Sequence, residues 1–380
     1  MTRKAACGNT LKASALEDLR MMAIARWASV AGSAAALAAV AAVAAVAACG
    51  PREVPVEDAA LPQTSADPCA AATGFRGLVV CRNEGLLALD NAVREAIAAE
   101  AGGLDPAVAA ALNEEQDHWL EAARISCGAP TAETMPDEAQ LICLTAALRD
   151  RLNAIGDAID QQGPFTFLRV EAVDADPVTA AAAAASGLGE DAPTAITRDI
   201  SYPQLTGDGP EFRRFNALVR QEPRFGLEDQ TSETVNYTIV YAGEDLISVR
   251  FDILHEPLRA PHGSVEVQAV TVNMREGAPL TEADVFRPGS GWENFLTRRA
   301  VVALARAFQG TDFVPSEADV RETVTKPPQW LVTENALVIL FPPYSFAGPQ
   351  IEGGQEIAIP WSDLRAYLNP TGPRPIGTAP

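Results

Sequence analysis

Cysteines and histidines are the residues of this sequence best suited to chemistry, and the chain of 380 residues has six and three of them, respectively. A nucleophile needs a neighbouring base, and a metal site needs several closely spaced ligands. His118, His255 and His262 form no such metal motif. The sequence also lacks a Gly-x-Ser-x-Gly elbow, a phosphate-binding glycine loop and a His-Glu-x-x-His pair. We therefore expect no catalytic residues, no metal and no cofactor, and a binding protein rather than an enzyme.

The compartment decides what the cysteines do, because disulfides persist only in oxidising surroundings. No charged residue occurs between Arg26 and Arg52, and the stretch is rich in alanine and valine. This pattern predicts a signal peptide over residues 1–48. The first 20 residues make its charged region unusually long and acidic, so the true start is expected at Met21 or Met22.

The end of that stretch, Val46-Ala47-Ala48-Cys49, resembles the bacterial lipobox. The resemblance implies cleavage before Cys49 and a diacylglycerol on its sulfur. An uncleaved membrane anchor is the alternative, because about 20 apolar residues can span a bilayer. Residues 49–68 are rich in proline, alanine and acids, which is typical of a flexible tether. We expect a periplasmic lipoprotein of the cell envelope, and Gly50-Pro51 in place of an aspartate retention signal favours the outer membrane.

The net charge restricts the partners. The whole chain has a formal charge of −21 at pH 7. Removal of residues 1–48, which hold five basic and two acidic side chains, makes it −24. Nucleic acid is excluded as a partner, because binding to phosphates requires a basic face. A cationic partner would be attracted, although an acidic surface also serves solubility.

Cys69, Cys81, Cys127 and Cys143 lie within one region of about 75 residues. Their spacing contains no close pair of the kind used by zinc, so the sequence predicts two disulfides. Sequence proximity favours pairing 69 with 81 and 127 with 143. Antiparallel helices would instead bring Cys81 near Cys127, so the sequence leaves the pairing open.

The same region is predicted to be helical. Apolar residues recur every three or four positions from Cys81 to Ile97, and again over 106–126 and 138–155. Asp137 is a candidate cap for the third helix. We therefore expect a small helical domain over 69–160. The following residues 161–194 include six alanines at 180–185 and are predicted as an interdomain linker, in which the alanines could form a short helix.

The composition then changes to that of strands. Runs rich in β-branched and aromatic residues are predicted as strands, with a helix between the third strand and a hairpin that turns at Glu334-Asn335. The strands are placed at 235–242, 246–255, 264–274, 330–341 (the hairpin) and 355–360, and the helix at 291–309. Residues 195–368 are therefore predicted to form an α+β domain with an antiparallel sheet. Residues 369–380 are predicted to be a disordered tail, because they are rich in proline.

The helical region resembles the LprI-like lysozyme-inhibitor family over residues 69–156. The matching residues are Cys69, Cys81, Leu86, Leu89, Asp90, Gln116, Trp119, Cys127, Cys143, Leu144 and Arg151. Three positions depart from the family: Gly77 replaces a glutamate, Ile97 replaces a tyrosine, and the arginine after the tryptophan is shifted to Arg124. Trp119 is expected to pack in the core, and His118 to be a solvated helix residue.

The second region resembles the extracellular domain of RsiV-type anti-sigma factors over residues 195–368. The resemblance lies in "ISYPQLTG" (200–207), "LTEADVF" (280–286) and the segment 331–368. In that segment Phe341, Tyr344, Gly354, Ile359, Pro360 and Leu364 stand where the family has them. The chain departs at Ala347-Gly348-Pro349-Gln350 and has about one extra residue before Gly354.

Both resemblances imply binding to lysozyme, and we expect the partner to be lysozyme or a related peptidoglycan hydrolase. The candidate partner-binding residues lie in the departing segment: Tyr344, Ser345, Phe346, Pro349 and Gln350. A simple turn between two strands is the alternative role for that segment. The alternative function is a non-catalytic envelope module that binds peptidoglycan or an endogenous peptidoglycan enzyme.

Overall fold

The computed structural model describes residues 69–378, except 103–105, 130, 157, 208, 261, 312–313 and 344–353. The predicted signal peptide, the lipidated Cys49 and the tether lie outside the described residues. The described chain consists of a helical N-terminal region and an α+β domain with a large, mostly antiparallel sheet. The predicted multidomain fold class is therefore confirmed.

Four helices form the N-terminal region: α1 (Gly74–Leu78), α2 (Glu84–Glu100), α3 (Pro106–Ser126) and α4 (Glu138–Ile155). The three longer helices were predicted. Asp137 caps α4 as expected, because its side chain accepts a hydrogen bond from the Gln140 amide while Gln140 bonds back to the Asp137 amide. None of the helices in the described ranges is long and apolar enough to cross a bilayer.

Two disulfides close this region, Cys69–Cys81 and Cys127–Cys143. The pairing follows sequence proximity rather than the alternative that would join Cys81 to Cys127. The second bridge connects the end of α3 to the first turns of α4. It therefore fixes the hairpin between these two helices.

Seven strands form the main sheet in the order β1 to β7. Their bounds are β1 Ile159–Gln162, β2 Phe165–Pro177, β3 Ala195–Leu205, β4 Thr231–Ala242, β5 Leu246–Pro257, β6 Ser264–Asn273 and β7 Ala278–Pro279. The predicted strands over 235–274 are all present. Val249, Phe251 and Ile253 are buried in β5 while the residues between them are partly exposed, as the period of two requires.

The predicted linker over 161–194 is wrong. Strand β2 lies there and pairs with β3 from Phe167↔Leu205 to Pro177↔Ala195. The alanine run itself forms the short helix α5 (Ala180–Ser186). Burial along β2 does not alternate strictly, and the strand is completed by its pairing with β3, so the local pattern did not reveal it. Ala122 and Ile125 of α3 pack against β2 and β3, so the helical region lies directly on the sheet.

One junction in the sheet differs from the others. Strands β3 and β4 are parallel, and helix α6 (Pro210–Val219) lies in the connection between them. Their register contains only three residue pairs, from Arg198↔Glu233 to Ile200↔Val235. The adjoining pairs β2–β3 and β4–β5 run along most of their lengths. The β3–β4 junction is therefore short.

A second sheet has the order β10–β9–β8 and is antiparallel. Its strands are β8 (Trp330–Val332), β9 (Ala336–Phe341) and β10 (Gln355–Pro360), and helices α7 (Glu282–Val285), α8 (Trp292–Ala307), α9 (Glu317–Val324) and α10 (Trp361–Leu364) accompany it. Trp292 stacks on Phe286 at 4.4 Å between ring centroids, and Trp330 meets both rings edge-on. This aromatic cluster joins α8 to the second sheet.

The predicted disordered tail is also wrong over residues 369–378. Ile376 is 1% exposed and belongs to the same core as the aromatic cluster. The backbone amide of Asn369 donates to Val285, and Arg374 contacts Asp245. The prolines leave this segment with only a short 3-10 helix (Ile376–Thr378), but they do not prevent burial of an apolar residue such as Ile376.

Candidate functional site

The connection between β9 and β10 contains the predicted partner-binding residues. Phe341 pairs with Gln355, so the 13 residues in between leave and return at the same end of the second sheet. A tight hairpin needs only about two residues, and longer connections are where binding residues concentrate. Tyr344, Ser345, Phe346, Pro349 and Gln350 themselves lie outside the described residues. Of this connection the structure therefore describes only residues 342, 343 and 354, which we call its foot.

Gly354 fixes the return of the chain into β10. Its φ of +72° lies in the left-handed region, and an added Cβ would come within 2.3 Å of the Phe341 carbonyl oxygen. No other residue fits this position without a shift of the backbone. The first charged residue after it, Glu356, forms an ion pair with Arg250 of β5. The foot of the connection is therefore fastened to the main sheet.

Residues of the LprI-like pattern meet around Arg151 on α4. Its Nε donates to Gln116 Oε1 at 3.2 Å, and its guanidinium lies 5.6 Å from the centre of the Trp119 ring. Arg151 also pairs with Glu171 of β2. The guanidinium is nearly buried, and this burial lowers its pKa. These residues therefore connect α3, α4 and the sheet, which agrees with the expected packing role of Trp119.

Glu115, next to Gln116, is a perturbed carboxyl in this cluster. Burial raises its pKa to about 7, and the attraction of Arg151 only partly opposes that effect. Perturbed carboxyls occur in active sites and in structural ion networks alike. The contacts of Arg151 are those of a structural network.

Arg169 of β2 bridges the short β3–β4 junction. It donates to Glu171 at 2.7 Å, to Ser201 of β3 at 2.6 Å and to Asn236 of β4 at 3.1 Å. Its guanidinium also lies 5.4 Å from the centre of the Tyr237 ring. One side chain therefore links three consecutive strands. Burial, opposed by Arg169, raises the pKa of Tyr237 to about 12.

Asp90 forms a second buried polar centre inside the helical region. It is fully buried and accepts from Arg76 at 2.8 Å and from Arg94 at 3.1 Å. Arg94 extends the network to Asp117 on α3. Two guanidinium groups compensate the cost of burying this carboxylate. Asp90, another residue of the LprI-like pattern, is thus part of the scaffold.

Two departures from the LprI-like pattern have structural consequences. Gly77 leaves no room for a side chain, because a Cβ would come within 2.3 Å of the Ala72 carbonyl oxygen. A glutamate side chain at this position of α1 would collide with the Ala72 carbonyl. Arg124 is buried, donates to the Ala129 carbonyl and lies 5.9 Å from the centre of the Phe75 ring. Arg124 therefore holds α1 and the turn after α3 against the helix.

The three histidines are separate. His118 is exposed on α3, as predicted, and His262 is exposed before β6. His255 of β5 is nearly buried and faces Glu233 of β4 across 3.7 Å. Burial lowers the pKa of His255, and Glu233 partly opposes this effect. Within the described ranges, no group of three or more possible metal ligands occurs.

Sequence reasoning missed the residues that join the two sheets and bridge the strands. Glu115, Arg169 and the Arg250–Glu356 pair carry no motif, because each works through a partner more than 20 residues away or through burial. Period-two alternation does identify Arg250 and Glu356 as outward-facing strand residues. It gives no information about which charges meet. The arrangement as a whole suits binding by a rigid scaffold.

Comparison with known proteins identifies part of the α+β domain. A family model described as a protein of unknown function, DUF3298, matches residues 283–362. This interval includes α8, α9, the second sheet and the β9–β10 connection. It lies within residues 195–368, the region for which the sequence predicted an α+β domain.

Two solved DUF3298 family proteins are similar to the chain. One, from Pseudomonas aeruginosa PAO1, has 17% sequence identity and a TM-score of 0.39, with 55% of this chain and 95% of that chain covered. The other, from Bacteroides fragilis NCTC 9343, has 12% identity and a TM-score of 0.36, with 55% and 96% covered. No curated protein matches the chain.

Proposed function

We propose that this chain is a lipid-anchored binding protein of the bacterial envelope that binds and inhibits lysozyme-type muramidases. The observation that carries the proposal is the 13-residue connection between Phe341 and Gln355, which is fastened at its foot and contains Tyr344 to Gln350. A long connection on a fixed foot suits insertion into a partner's cleft. The resemblance of this segment to RsiV-type domains implies a lysozyme partner.

The helical region supports the same partner by an independent resemblance. Asp90, Gln116, Trp119 and Arg151 of the LprI-like pattern lie in two buried networks. Their role here is to hold the helices, so contact with the partner is assigned to the β9–β10 connection. The formal charge of −21 favours association with a basic protein, an effect that salt weakens.

The test is inhibition of peptidoglycan hydrolysis by a c-type lysozyme, with the oxidised soluble chain 50–380. We expect inhibition at near-stoichiometric protein in about 0.15 M salt. Tyr344→Ala combined with Gln350→Ala should weaken inhibition at least about tenfold, as for residues at the centre of an interface. His118→Ala, an exposed change in the helical region, is the matched control and should leave inhibition intact.

Two results would contradict the proposal. Inhibition that disappears at about 0.15 M salt would leave only non-specific attraction between opposite charges. No inhibition at any salt concentration would favour the envelope module that binds peptidoglycan or an endogenous peptidoglycan enzyme. Co-sedimentation of the same protein with insoluble peptidoglycan would then identify that function.

A further inference from the structure

One face of the main sheet is open in the middle. Strand β4 lies between β3 and β5, and its Val235 and Ile239 are buried in the core. Asn236 and Thr238 on the same strand are exposed. A central strand whose alternate side chains reach solvent shows that no layer covers that face at this point. The sheet therefore presents a surface there rather than a second core.

The register defines which residues share this surface. Asn236 lies opposite Asp252, and Thr238 lies opposite Arg250. Directly opposed residues of an antiparallel pair lie on the same face. Arg169 joins them through its hydrogen bond to Asn236, and Glu356 of β10 joins them through Arg250. We call this set the open sheet face: Arg169, Asn236, Thr238, Arg250, Asp252 and Glu356.

The two guanidinium groups and two carboxylates of the open sheet face are equal in number, but the carboxylates are its more exposed charges. Arg250 is paired with both Asp252 and Glu356, so two carboxylates share one guanidinium. The carboxylate side chains are 44% and 41% exposed, whereas Arg250 is 22% exposed. Arg169 is likewise only 25% exposed and is paired with Glu171. An approaching molecule therefore meets carboxylate oxygens before it meets the guanidinium groups.

The open sheet face adjoins the β9–β10 connection. Glu356 directly follows Gln355, the residue at which the connection re-enters β10. The face and the foot of the connection are thus held together by the Arg250–Glu356 pair. A partner that occupies the connection comes close to the face as well.

The chemistry of the face selects one kind of occupant. Among the described residues, the large apolar side chains that are exposed are Met135, Ile142, Leu188, Val302 and Val314, and none lies on these strands. A second copy of the chain would bring another net charge of −21 and no apolar patch to bury. A basic protein has the complementary charge.

We propose that the open sheet face is a second contact surface of the muramidase-binding site, where Asp252 and Glu356 receive basic side chains of the bound enzyme. This inference rests on the proposed function. The connection determines specific binding in the cleft, while the face increases the rate of encounter and orients the partner. Exposed charges around an interface act mainly on the association rate constant and on its dependence on salt.

The experiment measures association of the soluble chain 50–380 with a c-type lysozyme by stopped-flow fluorescence at about 0.02 M and about 0.15 M salt. Asp252→Asn combined with Glu356→Gln should lower the association rate constant roughly three- to tenfold at low salt, and less at high salt. The matched control combines Glu293→Gln with Asp363→Asn. These are exposed carboxylates of similar exposure, each paired with an arginine outside the face. The control changes the net charge equally and should have a clearly smaller effect.

A second variant separates loss of binding from loss of folding. Thr238→Lys puts a cation on an exposed position of the face, and its thermal unfolding should match that of the wild type. It should weaken binding by roughly threefold or more at low salt. Wild-type rates in a folded Thr238→Lys variant, or equal effects of the two double variants, would overturn the inference and leave the proposed function standing. Wild-type protein that neither binds nor inhibits would overturn the proposed function itself.

Discussion

Asp245 accepts hydrogen bonds from the backbone amide and from the guanidinium of Arg374, 129 residues later in the sequence, at 2.9 and 3.2 Å. Arg275 donates to the same carboxylate oxygen at 2.5 Å. The carboxylate just before β5 thus holds the C-terminal segment in place while Ile376 closes the core. The contact of Asp245 with Arg374 is one of the contacts that give this proline-rich segment a defined position, beside the bond from the Asn369 amide to the Val285 carbonyl.

The Asp245 contacts predict a specific acid sensitivity. The hydrogen bonds from Arg275 and Arg374 lower the pKa of Asp245 to about 2. Because the folded pKa lies below the unfolded value of about 3.9, the stabilisation is complete above pH 4 and is lost as the pH falls to about 2. Asp245→Asn should therefore reduce the free energy of unfolding by about 2 kcal/mol at neutral pH, and by much less near pH 2.

Urea denaturation at several pH values measures this difference. Asp363→Asn, which removes an exposed carboxylate paired with Arg299, is the control and should change stability by less than about 1 kcal/mol. If Asp245→Asn lowered the free energy of unfolding equally at neutral pH and near pH 2, the acid sensitivity could not be assigned to the titration of Asp245.

The raised pKa of Glu115 predicts that its contribution to stability depends on pH in the opposite direction. Its pKa is raised to about 7 by burial, so the folded protein retains a proton that the unfolded chain releases near pH 4.5. The destabilising ionisation of Glu115 is therefore relieved as the pH falls from 7 toward 4.5. Glu115→Gln, which mimics the protonated side chain, should be more stable than the wild type at about pH 8, and the difference should shrink as the pH falls and vanish below about pH 4.

Thermal unfolding of the wild type and Glu115→Gln across this range tests the assignment. Glu114→Gln removes the neighbouring exposed carboxylate and serves as the control. A Glu115→Gln variant that is less stable than the wild type at pH 8 would indicate that the charged carboxylate stabilises the fold through Arg151.

The hydrogen bonds of Arg169 across the β3–β4 junction predict that removing its guanidinium lowers the stability of the fold. Arg169→Met keeps most of the alkyl chain but removes the bonds to Ser201 and Asn236, so we expect a loss of about 2 kcal/mol. Arg299→Met, which breaks an exposed pair with Asp363, should cost less than about 1 kcal/mol. Chemical denaturation compares the two variants, and equal stabilities would show that the bridge contributes nothing beyond a surface ion pair.

The disulfide Cys127–Cys143 predicts a loss of stability when it is removed as a pair. It closes a loop with a sequence separation of 16, for which restriction of the unfolded chain is worth about 3 kcal/mol. Replacement of both cysteines by serine should lower the free energy of unfolding by this amount under oxidising conditions. Peptide mapping without reduction should recover 69 linked to 81 and 127 linked to 143, and a fragment linking 81 to 127 would contradict the assignment.

The elements that sequence predicted are those with a strong local period. Helices α2, α3 and α4, the strands from β4 to β6 and helix α8 each bury residues at regular intervals within one segment. The failures are segments whose structure depends on distant partners. Strand β2 is completed by β3, and the C-terminal segment is held by Asp245. Neither partner is visible in the local pattern.

The candidate site likewise contains local features that the sequence indicated and long-range contacts that it did not. The sequence predicted two disulfides but left their pairing open, and the structure joins the cysteines that are neighbours in the sequence. Asp137 as a cap followed from local chemistry. The pair Arg250–Glu356, by contrast, joins residues 106 apart and depends on how the two sheets pack. Long-range charge pairing therefore required the fold to be known.

The short β3–β4 junction has a mechanical consequence. Among the long strands from β2 to β6, this junction has the fewest residue pairs, with Arg169 as its main side-chain bridge. A pulling force applied between residues 69 and 378 loads this junction together with the core in which helix α6 packs, and backbone amides there should exchange with solvent earlier than those of the β4–β5 pairing. The disulfides would keep the helices closed while the sheet parts. Under such tension the junction is the place at which the helices would part from residues 283–362, which match the DUF3298 model.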